Sequence, residues 1–124
     1  MKTVLIVDDE YAVAEVLATL LADEGYAVRT ACDGFQALER LKEEVPDLVI
    51  TDQMMPVLGG AELFRAMRKV PAYREVPVIL MSSVPSAAPS DRLPWSLFLQ
   101  KPFDFAELCA WLRAYFRRRP TKRR

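Results

Sequence analysis

Apolar and polar residues fall along this chain in short blocks that switch between two periods. Thr3–Val7 and Leu48–Thr51 are brief runs rich in β-branched side chains with no polar face. That is the pattern of strands buried on both sides, as in a parallel sheet. Tyr26–Ala31, Val76–Met81 and Leu97–Leu99 read as three further strands. Helical spacing lies between them. Tyr11 to Glu24 carries Val13, Val16, Leu17, Leu20 and Leu21, which are assigned to one inward face, and Gly25 stops that helix. After an Asp33-Gly34 turn, Phe35 to Glu44 points Leu38 and Leu41 inward. Ala61 to Val70 carries the stripe Leu63, Phe64 and Met67, and Phe105 to Phe116 carries Leu108, Trp111, Leu112 and Tyr115.

Strands alternating with helices imply right-handed crossovers and a parallel sheet covered on both faces. The expected fold is therefore α/β, with a doubly wound sheet of five parallel strands. One stretch breaks the rhythm. Residues 83–94 carry Pro85, Pro89 and Pro94 where a fourth helix would stand. Proline in a helix interior costs about 3 kcal/mol, so that helix is expected to be short or irregular. In open α/β sheets ligands sit outside the carboxyl ends of the strands, where the strand order reverses.

Composition narrows the chemistry. The 124 residues suffice for one domain with a respectable core. The 17 basic and 17 acidic residues cancel, but six of the basic ones (Arg117, Arg118, Arg119, Lys122, Arg123, Arg124) crowd the last eight positions. Positions 1–116 keep 11 basic against 17 acidic residues, a net charge of −6. Cys32 and Cys109 read as small core residues, not as a disulfide framework. No charged-then-apolar leader precedes the first strand and no apolar run is long enough to span a bilayer, so a cytoplasmic protein without a membrane partner is expected. Histidine is absent. Any chemistry must run on carboxylates, hydroxyls and lysine.

Those groups stand at the strand ends. Asp8 and Asp9 follow the first strand and Asp52 follows the third. An acid after a strand often caps the next helix, which suits Asp8 or Asp9; it suits Asp52 poorly, because the next helix starts well beyond it. Three carboxylates at one edge repel unless protonated or bridged by a cation. Oxygen-only ligands favour Mg²⁺, which keeps several waters and leaves coordination positions for a phosphate. Ser82 ends the fourth strand and Lys101 the fifth. A hydroxyl and an ammonium facing a cation-bound carboxylate are what a tetrahedral phosphoryl group requires. Asp52 is then an acyl-phosphate nucleophile.

Asp8-Asp9, Asp52 followed by Met55-Pro56 and Gly60, Ser82 and Lys101-Pro102-Phe103 together resemble the receiver domain of two-component response regulators, a flavodoxin-like (βα)5 fold. The resemblance covers residues 3–116. It implies Asp52 as phosphoacceptor, served by a sensor histidine kinase or a phosphotransfer protein. It implies Mg²⁺ held by Asp9, Asp52 and the backbone carbonyl of Met54, with Asp8 assisting through water. Ser82 and Lys101 would contact the phosphoryl group, Phe98 would be the switch aromatic that follows Ser82, and the Lys101–Pro102 bond would be cis. Residues 1–118 would form the receiver and 119–124 a basic C-terminal tail.

The chain departs from the family pattern at three places. The interval from Ser82 to Lys101 is shorter than usual, Gly59 stands where an Asp or Asn usually precedes the glycine, and Met54 and Val84 are apolar at positions that tune phosphoryl lifetime. The expected function is a phosphorylation-dependent signalling switch acting on a downstream protein target of unknown identity, catalysing only its own phosphorylation and hydrolysis. The rival is a phosphorylation-independent interaction module on the same fold. A true phosphohydrolase would want a second acid two residues after the nucleophile, where Met54 stands, and no glycine-rich loop supports nucleotide binding. The basic tail has no aromatic interleaving, so nucleic acid is not expected as a partner.

Overall fold

Each strand of the structure is a short apolar run that alternates its side chains between two helical layers. The computed structural model describes residues 1–83 and 96–118. In chain order they form β1 (Thr3–Val7), α1 (Tyr11–Asp23), β2 (Ala27–Ala31), α2 (Gly34–Glu43), β3 (Leu48–Asp52), α3 (Gly60–Arg68), β4 (Val78–Ser82), β5 (Leu97–Gln100) and α4 (Phe105–Arg118). The expected irregular fourth helix and the basic tail lie outside the described residues. All four strand pairs are parallel, and the sheet order is β2-β1-β3-β4-β5. The chain therefore steps from β1 to one side and then crosses to the other. This reversal opens a crevice at the carboxyl ends of β1 and β3.

Period-two alternation divides the core. Val4, Ile6, Leu48, Ile50, Ile79 and Met81 pack toward Ala14, Leu17 and Leu21 of α1 and Leu108, Cys109 and Leu112 of α4. Leu5, Val7, Val49 and Val78 pack the other way, toward Ala37 and Leu41 of α2 and Leu63, Phe64 and Met67 of α3. Burying a Leu or Ile side chain contributes about 1.5–3 kcal/mol, so these two layers hold the strand ends in place. At the foot of α1, Tyr26 N–H donates to Leu21 O and Gly25 N–H to Ala22 O. With Gly25 at φ 100°, this is the Schellman stop expected of that glycine.

Helix faces were harder to read than strands. The spacing predicts Val13, Val16 and Leu20 inward, yet they are 37%, 59% and 38% exposed, while small Ala14 is buried. Helix α1 is apolar around most of its circumference, so apolar spacing alone cannot choose the buried stripe. The alanine lets the helix lie close to the sheet. The displaced residues line an open apolar groove with Phe103 and Phe105. Likewise Ala37 is buried in α2 and Leu38 only half-buried. Cys109 is buried as expected, but Cys32 is exposed because it lies just past β2, outside both layers. Strand β4 begins at Val78 and not Val76.

The loop from β3 to α3 contains one strained residue. Val57 has φ 70°, and Leu58 N–H donates across it to Pro56 O at 2.7 Å. This is the rare positive-φ γ-turn, here at a β-branched residue. Such a conformation costs about 1–3 kcal/mol, whereas glycine adopts it freely at an unfolded-state cost of about 0.5–1 kcal/mol. The Val57 side chain is 78% exposed and contributes little packing. Val57→Gly is therefore expected to raise the thermal midpoint by about 4 °C, equivalent to about 1 kcal/mol. A lower midpoint by calorimetry would contradict the strain.

Candidate functional site at the carboxyl edge of the sheet

Strand register brings the acids together. Val7 pairs with Thr51, so Asp8 and Asp52 emerge side by side from adjacent strands. Asp8, Asp9 and Asp52 each offer a carboxylate oxygen within 4.8 Å of the others. Asp8 and Asp52 are buried, at 2% and 7% exposure, whereas Asp9 faces solvent. Helix α3 starts close behind the site: a Cβ at Gly60 would lie 2.5 Å from Asp52 O, so only glycine lets that backbone approach.

Lys101 binds the cluster from β5. Its Nζ lies 3.0 Å from Asp52 Oδ1 and 3.1 Å from Asp8 Oδ2. The other Asp8 oxygen accepts the Glu10 N–H at 2.9 Å. The N-cap residue of α1 is Glu10, whose side chain makes no capping bond, so neither Asp8 nor Asp9 stands at the cap position. Ser82 is buried at the end of β4, and its carbonyl accepts the Lys101 N–H at 2.8 Å. This bond fixes the start of the loop carrying the ammonium. The Lys101–Pro102 peptide is cis. Met54 lies two residues past Asp52, 66% exposed. Phe98 is half-buried in β5, and its neighbours Leu97 and Leu99 pack with the α1 and α4 layer.

Glu10 is the site residue that the sequence did not disclose. Its carboxylate stands 4.0 Å from Lys101 Nζ and is largely exposed. A glutamate at a helix N-cap, where Ser, Thr, Asp or Asn is preferred, was the available signal.

The charges oppose one another. Burial pushes the Asp52 carboxyl above its ordinary pKa; the hydrogen bond and charge of Lys101 pull it down, and Asp8 and Asp9 push it up further. Burial works against the Lys101 ammonium, but its hydrogen bonds to Asp52 and Asp8 prevail and hold its pKa above the ordinary value. Three carboxylates and one ammonium leave the cluster at −2 when ionised, and every donor is oxygen, which suits a small divalent cation such as Mg²⁺. Because Asp52 ionises less readily folded than unfolded, its charge opposes folding above the raised pKa, and protonation removes that penalty as pH falls through it. In metal-free buffer at pH 7, Asp52→Asn is expected to raise the thermal midpoint by about 3 °C. The gain should shrink as pH falls through the raised Asp52 pKa. A destabilised variant, or a gain independent of pH, would contradict this balance.

Known proteins resemble this chain in sequence and in fold. The response regulator receiver domain family matches residues 4–113. The chain is 40% identical over 122 residues to a probable transcriptional regulator, ycf27, of Guillardia theta, covering 94% of this chain and 46% of that protein. It is 39% identical over 123 residues to the transcriptional regulatory protein CpxR homolog of Haemophilus influenzae, covering 95% and 52%. The chain thus spans about half the length of these curated relatives. Their names leave the expected exclusion of nucleic acid as a partner without support. Among solved structures, the signal receiver domain of a signal transduction histidine kinase from Syntrophus aciditrophicus superposes with TM-score 0.89 at 28% identity, covering 99% of this chain and 96% of that one. The response regulator TrrA from Thermotoga maritima, solved in complex with Mg(2+)-BeF, gives TM-score 0.82 at 33% identity, covering 92% and 98%. By family match, sequence identity and fold, this chain belongs to the response regulator receiver domains.

Proposed function

We propose that this receiver is a phosphorylation switch in which Asp52 takes a phosphoryl group from a phosphohistidine on a sensor kinase or phosphotransfer protein. The observation that carries the reading is Asp52 itself: a buried carboxylate with no capping role, grouped with Asp8 and Asp9 and held 3.0 Å from Lys101. An Asp52 oxygen attacks phosphorus, the P–N bond to the donor imidazole breaks, and the imidazole leaves with its electron pair and regains a proton from solvent. The product is an acyl phosphate. Asp9, Asp52 and the Met54 carbonyl would hold Mg²⁺, with Asp8 assisting through water, and the cation would offset charge on the transferring oxygens.

Lys101 balances the same charge from the opposite side. Its ammonium already pairs with Asp8, so it can transfer its second contact from Asp52 to a phosphoryl oxygen without leaving the site. The Ser82 hydroxyl supplies a neutral donor from β4. A dianionic group on Asp52 draws Ser82 and Lys101 inward and biases the position of Phe98, shifting a two-state equilibrium toward a form read by a downstream target. The names of the longer relatives make transcriptional control one such output. Residues 1–118 form the unit that switches, with 119–124 as an appended basic segment.

The test is intact-mass measurement after incubation with acetyl phosphate, with and without Mg²⁺. Wild type is expected to gain one phosphoryl group, only with Mg²⁺, in a form cleaved by hydroxylamine; Asp52→Asn should gain none. A folded wild type that gains nothing would overturn the switch and favour a phosphorylation-independent interaction module. Continuous phosphate release over many turnovers would instead indicate a hydrolase.

A further inference from the structure

The β3–α3 loop carries the Met54 carbonyl, and its position is set from outside the acid cluster. Gln53 N–H donates to Met81 O at 2.9 Å where the loop leaves β3, Leu63 N–H donates to Gly59 O at 2.9 Å where it enters α3, and three further backbone bonds hold it between. Gly60 N–H donates to Gln53 O at 3.0 Å and closes the loop at its base; Leu58 N–H donates to Pro56 O at 2.7 Å and forms the γ-turn. The last of these comes from α2: Gly34 N–H, at its first residue, donates to Leu58 O at 3.0 Å. Gly34 is buried against this loop. A Cβ there would lie 2.6 Å from Leu58 O, 2.8 Å from Leu58 Cβ and 2.9 Å from Leu58 Cδ2. Two of those atoms are backbone or directly attached to it, so rotation of a side chain cannot clear the space.

The start of α2 is poorly placed to yield. Asp33 Oδ1 accepts the Gln36 N–H at 2.7 Å, and Gln36 Oε1 accepts the Cys32 N–H at 2.8 Å. This reciprocal pair locks the first turn much as a capping box does. Ala37 and Leu41 then anchor the helix in the core. The loop is the weaker partner, since it already holds Val57 in a strained conformation. A hollow of about 290 Å³ borders it, lined by Gln53, Met54, Met55, Gly59, Ala61 and Glu62, so there is room for it to shift.

We propose that Gly34 is a positioning residue for the divalent-cation site, holding the β3–α3 loop, and with it the Met54 carbonyl, in ligating register through its close contact with Leu58. The inference rests on the reading that the Met54 carbonyl is a cation ligand. It ties cation affinity to the junction between β2 and α2, an element that contributes no ligand.

Mg²⁺ titration by calorimetry on the full chain tests it, with affinity as the readout. Gly34→Ala is expected to weaken Mg²⁺ binding about tenfold, the scale of losses caused by residues that orient ligands. Gly34 has no positive φ and begins a helix, where alanine is the better helix former, so the variant is expected to fold. Leu112→Ala, a core truncation in α4, should lower stability yet leave Mg²⁺ affinity within about twofold, as for independent sites. Gly34→Ala should also cost less on a Leu58→Gly background, where two of the three close contacts are gone. That pair keeps the test open if the single variant fails to fold.

Binding by Gly34→Ala equal to wild type would overturn the proposal. So would an equal loss in Leu112→Ala, or an undiminished loss on the Leu58→Gly background. A wild type that binds no Mg²⁺ would count against the proposed function itself, a separate result from normal wild-type binding with no effect of the alanine.

Discussion

Asp8, Asp9 and Asp52 crowd oxygens within 4.8 Å of one another, with one ammonium beside them. Two like charges about 4 Å apart repel by about 1 kcal/mol in water and about 4 kcal/mol near a protein surface. The fold holds them there because parallel pairing of β1 with β3 and of β3 with β4 aligns the strand ends. The strand order reverses at β1, and Gly60 lets α3 begin directly behind Asp52. Lys101 offsets part of that charge, while burial, the largest cause of the raised Asp52 pKa, works against ionising the carboxyl there. In the proposed switch, such a site answers to a cation on one side and to a phosphoryl group on the other. The two terms act in opposite directions on the same carboxylate.

The parts of this arrangement legible in the sequence were those governed by short-range rules. Four apolar runs ending in Asp8, Asp52, Ser82 and Lys101 marked both their strands and the edge at which chemistry collects, because a buried parallel strand has no polar face and its end must meet solvent. Helix faces followed a weaker rule. In α1 the larger residues Val13, Val16 and Leu20 were favoured for the core, yet the close approach of helix to sheet selected Ala14, and no local pattern encodes that spacing. Cys32 failed for a related reason: its apolar character suggested burial, but it falls beyond the end of β2. Glu10 and the contact between Gly34 and Leu58 depend on elements far apart in sequence, so neither could be read from spacing.

Fold membership places the chain among receivers, and function resides in the site that the fold carries. The curated relatives named above are about twice its length. Within the receiver, the β3–α3 loop joins the two aspects of the account. It bears the Met54 carbonyl, the proposed cation ligand, and α2 braces it through the Gly34 N–H bond to Leu58 O.

In the proposed switch a divalent cation completes the acid cluster through Asp9, the member that Lys101 does not bind. The most direct measurement is the thermal midpoint of wild type and Asp9→Asn as Mg²⁺ is titrated. Wild type should rise steadily, by about 2.7 kcal/mol of added stability once Mg²⁺ reaches about a hundred times its dissociation constant. Asp9→Asn should start at or above the wild-type midpoint and respond little. A wild type indifferent to Mg²⁺, or an equal rise in both proteins, would contradict the account.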